Sequence, residues 1–231
     1  MNPIRQELLR RRGLHRAGAF ESSRLYVPGD DASRIDWRLT ARTREIHVRQ
    51  RARDVPLWFS ELVDRSASML AGRGRSLSQA AAEAVRVWHD AMSSDDRFIE
   101  LAPAASFQAS LDNAARLPFG TCLLVIGDFL DVDTVAAAFM RLCRRLDCTV
   151  LVARDPWRDA LPLAGFVYVA DLETRKTQRY FIGKRERSRY HQHAALREAQ
   201  VLSEVRAASC RAGLLNEGDG ARSLRQVFGL A

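Results

Sequence analysis

Two apolar stretches, LWFSELV and CLLVI, each run into an aspartate: Asp64 directly after the first, and Asp128, one glycine on, after the second. The run from Cys122 to Ile126 is unbroken, as in a strand covered on both faces. The first reads as a strand from Val55 to Val63, with Pro56 tolerable so near its start. Helical patterns follow each strand. One spans about Ser76 to Met92, with Ala80, Ala84, Val87 and Trp88 on one face, and another runs from about Val132 to Leu146. A short strand from Arg97 to Leu101 and a short helix from Gln108 to Leu117 lie between, and a strand from Cys148 to Val152 comes after. Such alternation implies an α/β fold, a mostly parallel sheet flanked by helices and joined by right-handed crossovers.

Two later segments break the alternation. GFVYVADLETRKTQRYFIG alternates apolar residues on two arms around a polar turn near Glu173 to Lys176, which predicts an inserted β-hairpin. Arg187 to Arg211 predicts a long amphipathic helix, and Ala221 to Phe228 a short terminal one. Upstream of the α/β region, Val27-Pro28-Gly29-Asp30 is a turn signal, and Ile46 and Val48 alternate with polar neighbours like a half-buried strand. Residues 1–53 are therefore read as a small, turn-rich N-terminal β module, and residues 54–231 as the α/β domain. Asp30, Asp31 and Asp36 lie close in sequence to Arg34, Arg38 and Arg42, which predicts an ion-pair and turn network holding that module.

With 47% hydrophobic and 28% charged residues among 231, the composition is that of a globular protein. No apolar run approaches the roughly 20 residues that span a bilayer. The basic N-terminus has no apolar core behind it, so no secretory signal is read there and a cytoplasmic location is expected. Cys122, Cys143, Cys148 and Cys210 contain no C-x-x-C pair and are expected to be buried free thiols. The formal charge is +8. Its arginines are mixed with acids and interleaved with no aromatic platform, so a solvated basic face is favoured over a nucleic-acid partner.

After Val63, Asp64, Ser66 and Ser68 occupy alternate positions. Small oxygen-bearing residues after a strand commonly cap the next helix. They also suit Mg²⁺ or Mn²⁺, hard cations that take a few oxygen ligands with water completing the shell. The second acidic strand end, Asp128, decides between the two. If the strands are neighbours, two acids and two hydroxyls converge at the carboxyl ends of sheet strands, where open α/β folds place their ligands. The candidate metal ligands are thus Asp64, Ser66, Ser68 and Asp128.

The Asp64-x-Ser66-x-Ser68 pattern, with an acid after a later strand, resembles the metal-ion-dependent adhesion site of von Willebrand factor A domains. The run Tyr26, Pro28, Gly29, Asp30, Asp31, Arg34, Ile35, Asp36, Trp37, Thr40, Ala41 and Arg42 is more specific. With DRSASM and DPWRDALP, it resembles the bacterial family called domain of unknown function 58 across nearly the whole chain. The resemblance implies a von Willebrand factor A-like domain behind a proline-glycine-aspartate module. It further implies an adaptor that acts with a MoxR-type AAA+ ATPase, or its client, in assembling or remodelling other proteins. The sequence departs from the adhesion-site pattern between Arg97 and Thr121, a short segment in which Thr121 abuts the next strand.

A protein-binding role needs no catalytic residue, and none is assigned. The competing expectations are a metal-dependent hydrolase using Asp64 and Asp128, and a basic nucleic-acid-binding protein. Against the first, no histidine adjoins either acid, and there is no G-x-S-x-G elbow or phosphate-cradling glycine loop. His191 and His193, two apart on a helix, do not face each other.

Overall fold

The computed structural model describes residues 2–12, 20–51, 56–130, 132, 134–161, 165–170 and 176–230. They form two compact units, Met1–Leu57 with Ala91–Arg97, and Trp58–Asp90 with Phe98–Ala231.

The first unit opens with helix α1 (Pro3–Arg11). Asn2 caps it by accepting from the Ile4 amide at 2.9 Å, and Pro3 sits where a helix has no use for an amide. Ile4, Leu8 and Leu9 recur at helical spacing and are buried. Arg5 is buried with them, because Asp96 accepts two hydrogen bonds of 2.9 Å from its guanidinium. The Leu57 and Ser93 amides donate to the same carboxylate. Burial opposes the Asp96 charge, but these donors outweigh it and hold its carboxyl below the ordinary range.

Strands β1 (Phe20–Leu25) and β2 (His47–Arg51) pair antiparallel. The turn between them is as the sequence predicts, with Gly29 at φ 107° and the Asp30 amide donating to the Val27 carbonyl at 3.0 Å. The segment is not all turn and strand, however. Asp31 caps a 3₁₀ turn (Ala32–Arg34), and Asp36 caps helix α2 (Trp37–Thr43) by accepting from the Leu39 amide. Asp30 pairs with Arg24 at 2.6 Å, and Asp36 lies 3.5 Å from Arg49. Arg24 and Arg49 come from the paired strands, and of the expected arginines Arg34 adds its charge near Asp30.

The chain then runs, in order, through β3 (Trp58–Val63), α3 (Leu77–His89), β4 (Arg97–Phe98), α4 (Phe107–Ala114), β5 (Cys122–Gly127), α5 (Val135–Cys143) and β6 (Asp147–Ala153), all in the second unit except Arg97. Then come β7 (Gly165–Ala170), β8 (Thr177–Ile182), α6 (Lys184–Ala207), β9 (Arg211–Leu215) and α7 (Gly220–Val227). The sheet runs β4-β3-β5-β6-β9, and β3, β5, β6 and β9 are parallel to their neighbours. The fold is α/β.

Leu62, Leu123, Val125, Val150 and Val152 share one core with Leu111 of α4, Phe139 of α5 and Val205 of α6. Trp88 of α3 meets Phe59 edge-on at 5.2 Å and donates its indole N–H to the Ser60 carbonyl. Cover on both faces explains why all six residues of β5 are buried. α3 begins with a capping box between Ser76 and Gln79. Where α7 approaches it, a Cβ on Gly220 would fall 1.8 Å from the Ala80 carbonyl oxygen, so only glycine fits.

Two expectations are corrected. The long helix ends at Ala207, and after Ser209 turns the chain at φ 64°, Arg211 starts β9. Cys143 and Cys210 form a disulfide instead of remaining free thiols, whereas Cys122 and Cys148 are buried outside any disulfide. The β7–β8 hairpin is present, while the turn residues 171–175 lie outside the described residues. So does Val55, and the first sheet strand starts at Trp58.

Candidate metal centre

Val63 pairs with Ile126 in the parallel register, so the chain leaves β3 and β5 side by side, into Asp64 and into Gly127 with Asp128. The Asp64 amide donates to the Ile126 carbonyl at 2.8 Å, which ties the two exits together. Close approach requires Gly127. A Cβ there would lie 2.8 Å from the Phe107 ring and 3.1 Å from the Asp64 Cβ.

Asp64 is 5% exposed, and its Oδ1 accepts from the Ser66 amide at 2.8 Å. That bond curls the loop so that the Ser66 and Ser68 hydroxyl oxygens come within 2.7 Å of each other. A 3₁₀ turn (Ala67–Leu70) follows, and Ser66 stands at its N-cap without a side-chain capping bond. Helix capping therefore does not account for that hydroxyl. Asp128 is half-buried and accepts from the Leu130 amide at 2.9 Å.

The loop divides two hollows. Ser68 and Asp128 line a cavity of about 230 Å³, walled by Leu77, Leu130, Arg197 and Val201. Asp64 and Ser66 line a second, of about 420 Å³, with Glu100 and Ser106. The four candidate ligands thus sit at one end of the sheet, shared between these two hollows among the described residues.

Several residues here were not singled out from sequence. Asp155, two residues beyond β6, lines the smaller cavity, and so do Arg197 and Glu198 of α6. Asp155 accepts from the Trp157 amide at 2.9 Å and from the Tyr190 hydroxyl. Burial first, and then that carboxylate, push the Tyr190 phenol above its ordinary range, so it stays a donor. Glu198 binds Arg158 at 2.7 Å and lies 3.8 Å from Arg154. DPWRD thereby fastens α6 beside the strand ends. From there Arg197 donates to the Phe129 carbonyl at 2.9 Å, bracing the residue after Asp128, whose φ is 58°.

Thr121 is buried at the amino end of β5, opposite the acids, and donates to the Pro118 carbonyl at 2.8 Å. Ser106, which caps α4 by accepting from the Ala109 amide at 3.1 Å, lines the larger hollow together with Asp64 and Ser66. His191 lies 3.2 Å from Asp159, and His193 lines a separate shallow hollow. They do not form a ligand pair.

Carboxylate and hydroxyl oxygens are donor types that suit a hard divalent cation. In an Mg²⁺ octahedron with bonds of about 2.0–2.1 Å, adjacent ligand oxygens are about 2.9 Å apart. The Ser66 and Ser68 hydroxyls hydrogen-bond to each other at 2.7 Å, a bond that a shared cation would replace.

The family model described as protein of unknown function DUF58 matches residues 22–106, which include Asp64, Ser66 and Ser68 but not Asp128. Uncharacterized proteins of Mycobacterium bovis and Mycobacterium tuberculosis are 27% identical over 231 residues, covering 84% of this chain and 72% of theirs. No solved structure matches. Among the described residues, no helix is long and apolar enough to cross a membrane.

Proposed function

We propose that this chain is a non-enzymatic protein-binding adaptor with a von Willebrand factor A-like domain, holding Mg²⁺ or Mn²⁺ through Asp64, Ser66, Ser68 and Asp128. The observation that carries the proposal is the gathering, at adjoining strand ends, of the buried Asp64 and the hydrogen-bonded Ser66 and Ser68 hydroxyls in one loop, with Asp128 on the neighbouring exit. The bound cation would supply a positive centre with exchangeable water, open to a partner's carboxylate.

The surroundings suit a protein partner. Leu70 and Leu130 are 64% and 56% exposed, one on the turn after Ser68 and one beside Asp128. Leu196, on the same helix as Arg197, is 71% exposed. Exposed apolar side chains gathered near a site are a common mark of a contact surface. The resemblance to domain of unknown function 58 proteins supplies the partner class, a MoxR-type AAA+ ATPase or its client. Residues 1–53 would form the accompanying module.

Capture experiments with the whole chain as bait test the proposal. A MoxR-type ATPase should be retained with Mg²⁺ and released by EDTA. Retention unaffected by EDTA, or metal-dependent hydrolysis by the isolated protein, would overturn it.

A further inference from the structure

At the end of the sheet opposite the acids, three sulfurs converge. Cys143 is the last residue of α5, Cys148 the second of β6, and Cys210 immediately precedes β9. Thr149 pairs with Arg211 in the parallel register, which sets Cys148 beside Cys210. All three Sγ atoms lie within 4.8 Å of one another, with Cys143 bonded to Cys210. Cys148 and Cys210 are 1% and 7% exposed, whereas Cys143 is only half-buried.

We propose that Cys143, Cys148 and Cys210 form a thiol–disulfide exchange site whose modifiable thiol is Cys143. In the exchange, Cys148 gives its proton to solvent and its thiolate attacks the Cys210 sulfur. The Cys148–Cys210 bond forms as the Cys143–Cys210 bond breaks, and Cys143 leaves as a thiolate. No electrons are gained or lost. A small disulfide from solution can then meet the half-buried Cys143. One mixed disulfide forms there and one small thiolate departs. The attacking species is a thiolate, and an apolar burial site disfavours it, so the exchange is slow at neutral pH and quickens as pH rises.

The geometry gives each cysteine a separate part. Cys210 holds one bond in either state, Cys148 displaces, and Cys143 is released toward solvent. Cys122 lies outside the three-sulfur group and serves as the internal control.

The test uses the whole chain purified without reductant. It is incubated with glutathione disulfide from pH 7 to pH 9, quenched in acid, alkylated and mapped by peptide mass spectrometry. Glutathione should accumulate on Cys143 together with a Cys148–Cys210 linkage, at a rate rising up to about tenfold per pH unit below the thiol pKa. Cys148→Ser should keep the Cys143–Cys210 linkage and abolish the modification, while Cys122→Ser should retain it. Wild-type protein with only the Cys143–Cys210 linkage and no glutathione at any pH would overturn the proposal. So would three reduced cysteines that release a bound metal ion on thiol modification. Neither of those outcomes depends on a variant folding.

Discussion

The Asp64 amide donates to the Ile126 carbonyl at 2.8 Å, a loop-to-strand bond that continues the β3–β5 ladder one residue beyond the sheet. It places the exit toward Asp128 next to the loop that carries Asp64, Ser66 and Ser68. The loop is thus tied to the sheet by backbone, so the Ser66 and Ser68 hydroxyls can be removed with little effect on folding, whereas the buried Asp64 carboxylate also holds the loop through the Ser66 amide.

Titration calorimetry with Mg²⁺ and Mn²⁺ is expected to show a single weak site in the wild type and none in Asp64→Ala or Ser66→Ala. A cation that binds only the folded chain also stabilises it, by about 1.4 kcal/mol at ten times its Kd. Mg²⁺ should therefore raise the wild-type Tm, and EDTA should cancel the rise. Equal heats from wild type and Asp64→Ala would exclude this site.

Gly127→Ala should damage stability and metal binding together. The new methyl would meet the Phe107 ring at 2.8 Å and crowd the Asp64 Cβ at 3.1 Å. Overpacking of this kind costs roughly 1–3 kcal/mol. Urea denaturation measures the loss, and an unchanged midpoint would show that Phe107 moves aside freely.

The sheet was legible because covered strands advertise themselves: β5 is apolar at every position up to Gly127. β9 was not. RAGLL follows a helical pattern with no glycine or proline to mark the break, which falls at Ser209 in a left-handed conformation. α1 carried its signals in Asn2, Pro3, Ile4, Leu8 and Leu9, but the basic run beside them drew the reading toward charge. The Asp64 loop and Asp128 were visible as strand-end acids. Asp155 carries no local sign of its role, since its meeting with Tyr190 spans 35 residues. The Arg5–Asp96 pair, 91 residues apart, has no local signature at all.

That pair predicts a pH dependence. The folded Asp96 carboxyl lies below its ordinary value, so the unfolded chain binds its proton more readily. The resulting stability is fully present above about pH 4–5 and is lost as pH falls through the folded pKa. Asp96→Asn strands the buried Arg5 charge and should cost about 3–5 kcal/mol at pH 7. Urea midpoints from pH 7 to pH 2.5 should show the wild type converging on the variant as acid is added. A gap that stays constant over that range would remove Asp96 from the account.

Partner capture separates the polar centre from the exposed Leu130 beside it. Ser66→Ala and Asp128→Ala remove proposed ligands whose own side chains lie outside the apolar core, so both variants should keep the wild-type Tm in EDTA while capturing a MoxR-type ATPase or its client poorly. Leu130→Ser leaves all four ligands in place. It should preserve Mg²⁺ binding in calorimetry and still weaken capture, because Leu130 is 56% exposed and lines the cavity next to Asp128. Chelation should reproduce the ligand variants, since a partner carboxylate would then face Asp64 and Asp128 with no cation between, and like charges at short range repel. Adding EDTA to Asp128→Ala should therefore cause little further loss. If it causes a full second loss, the cation acts elsewhere, and if Leu130→Ser captures as well as wild type, the partner does not enter this cavity.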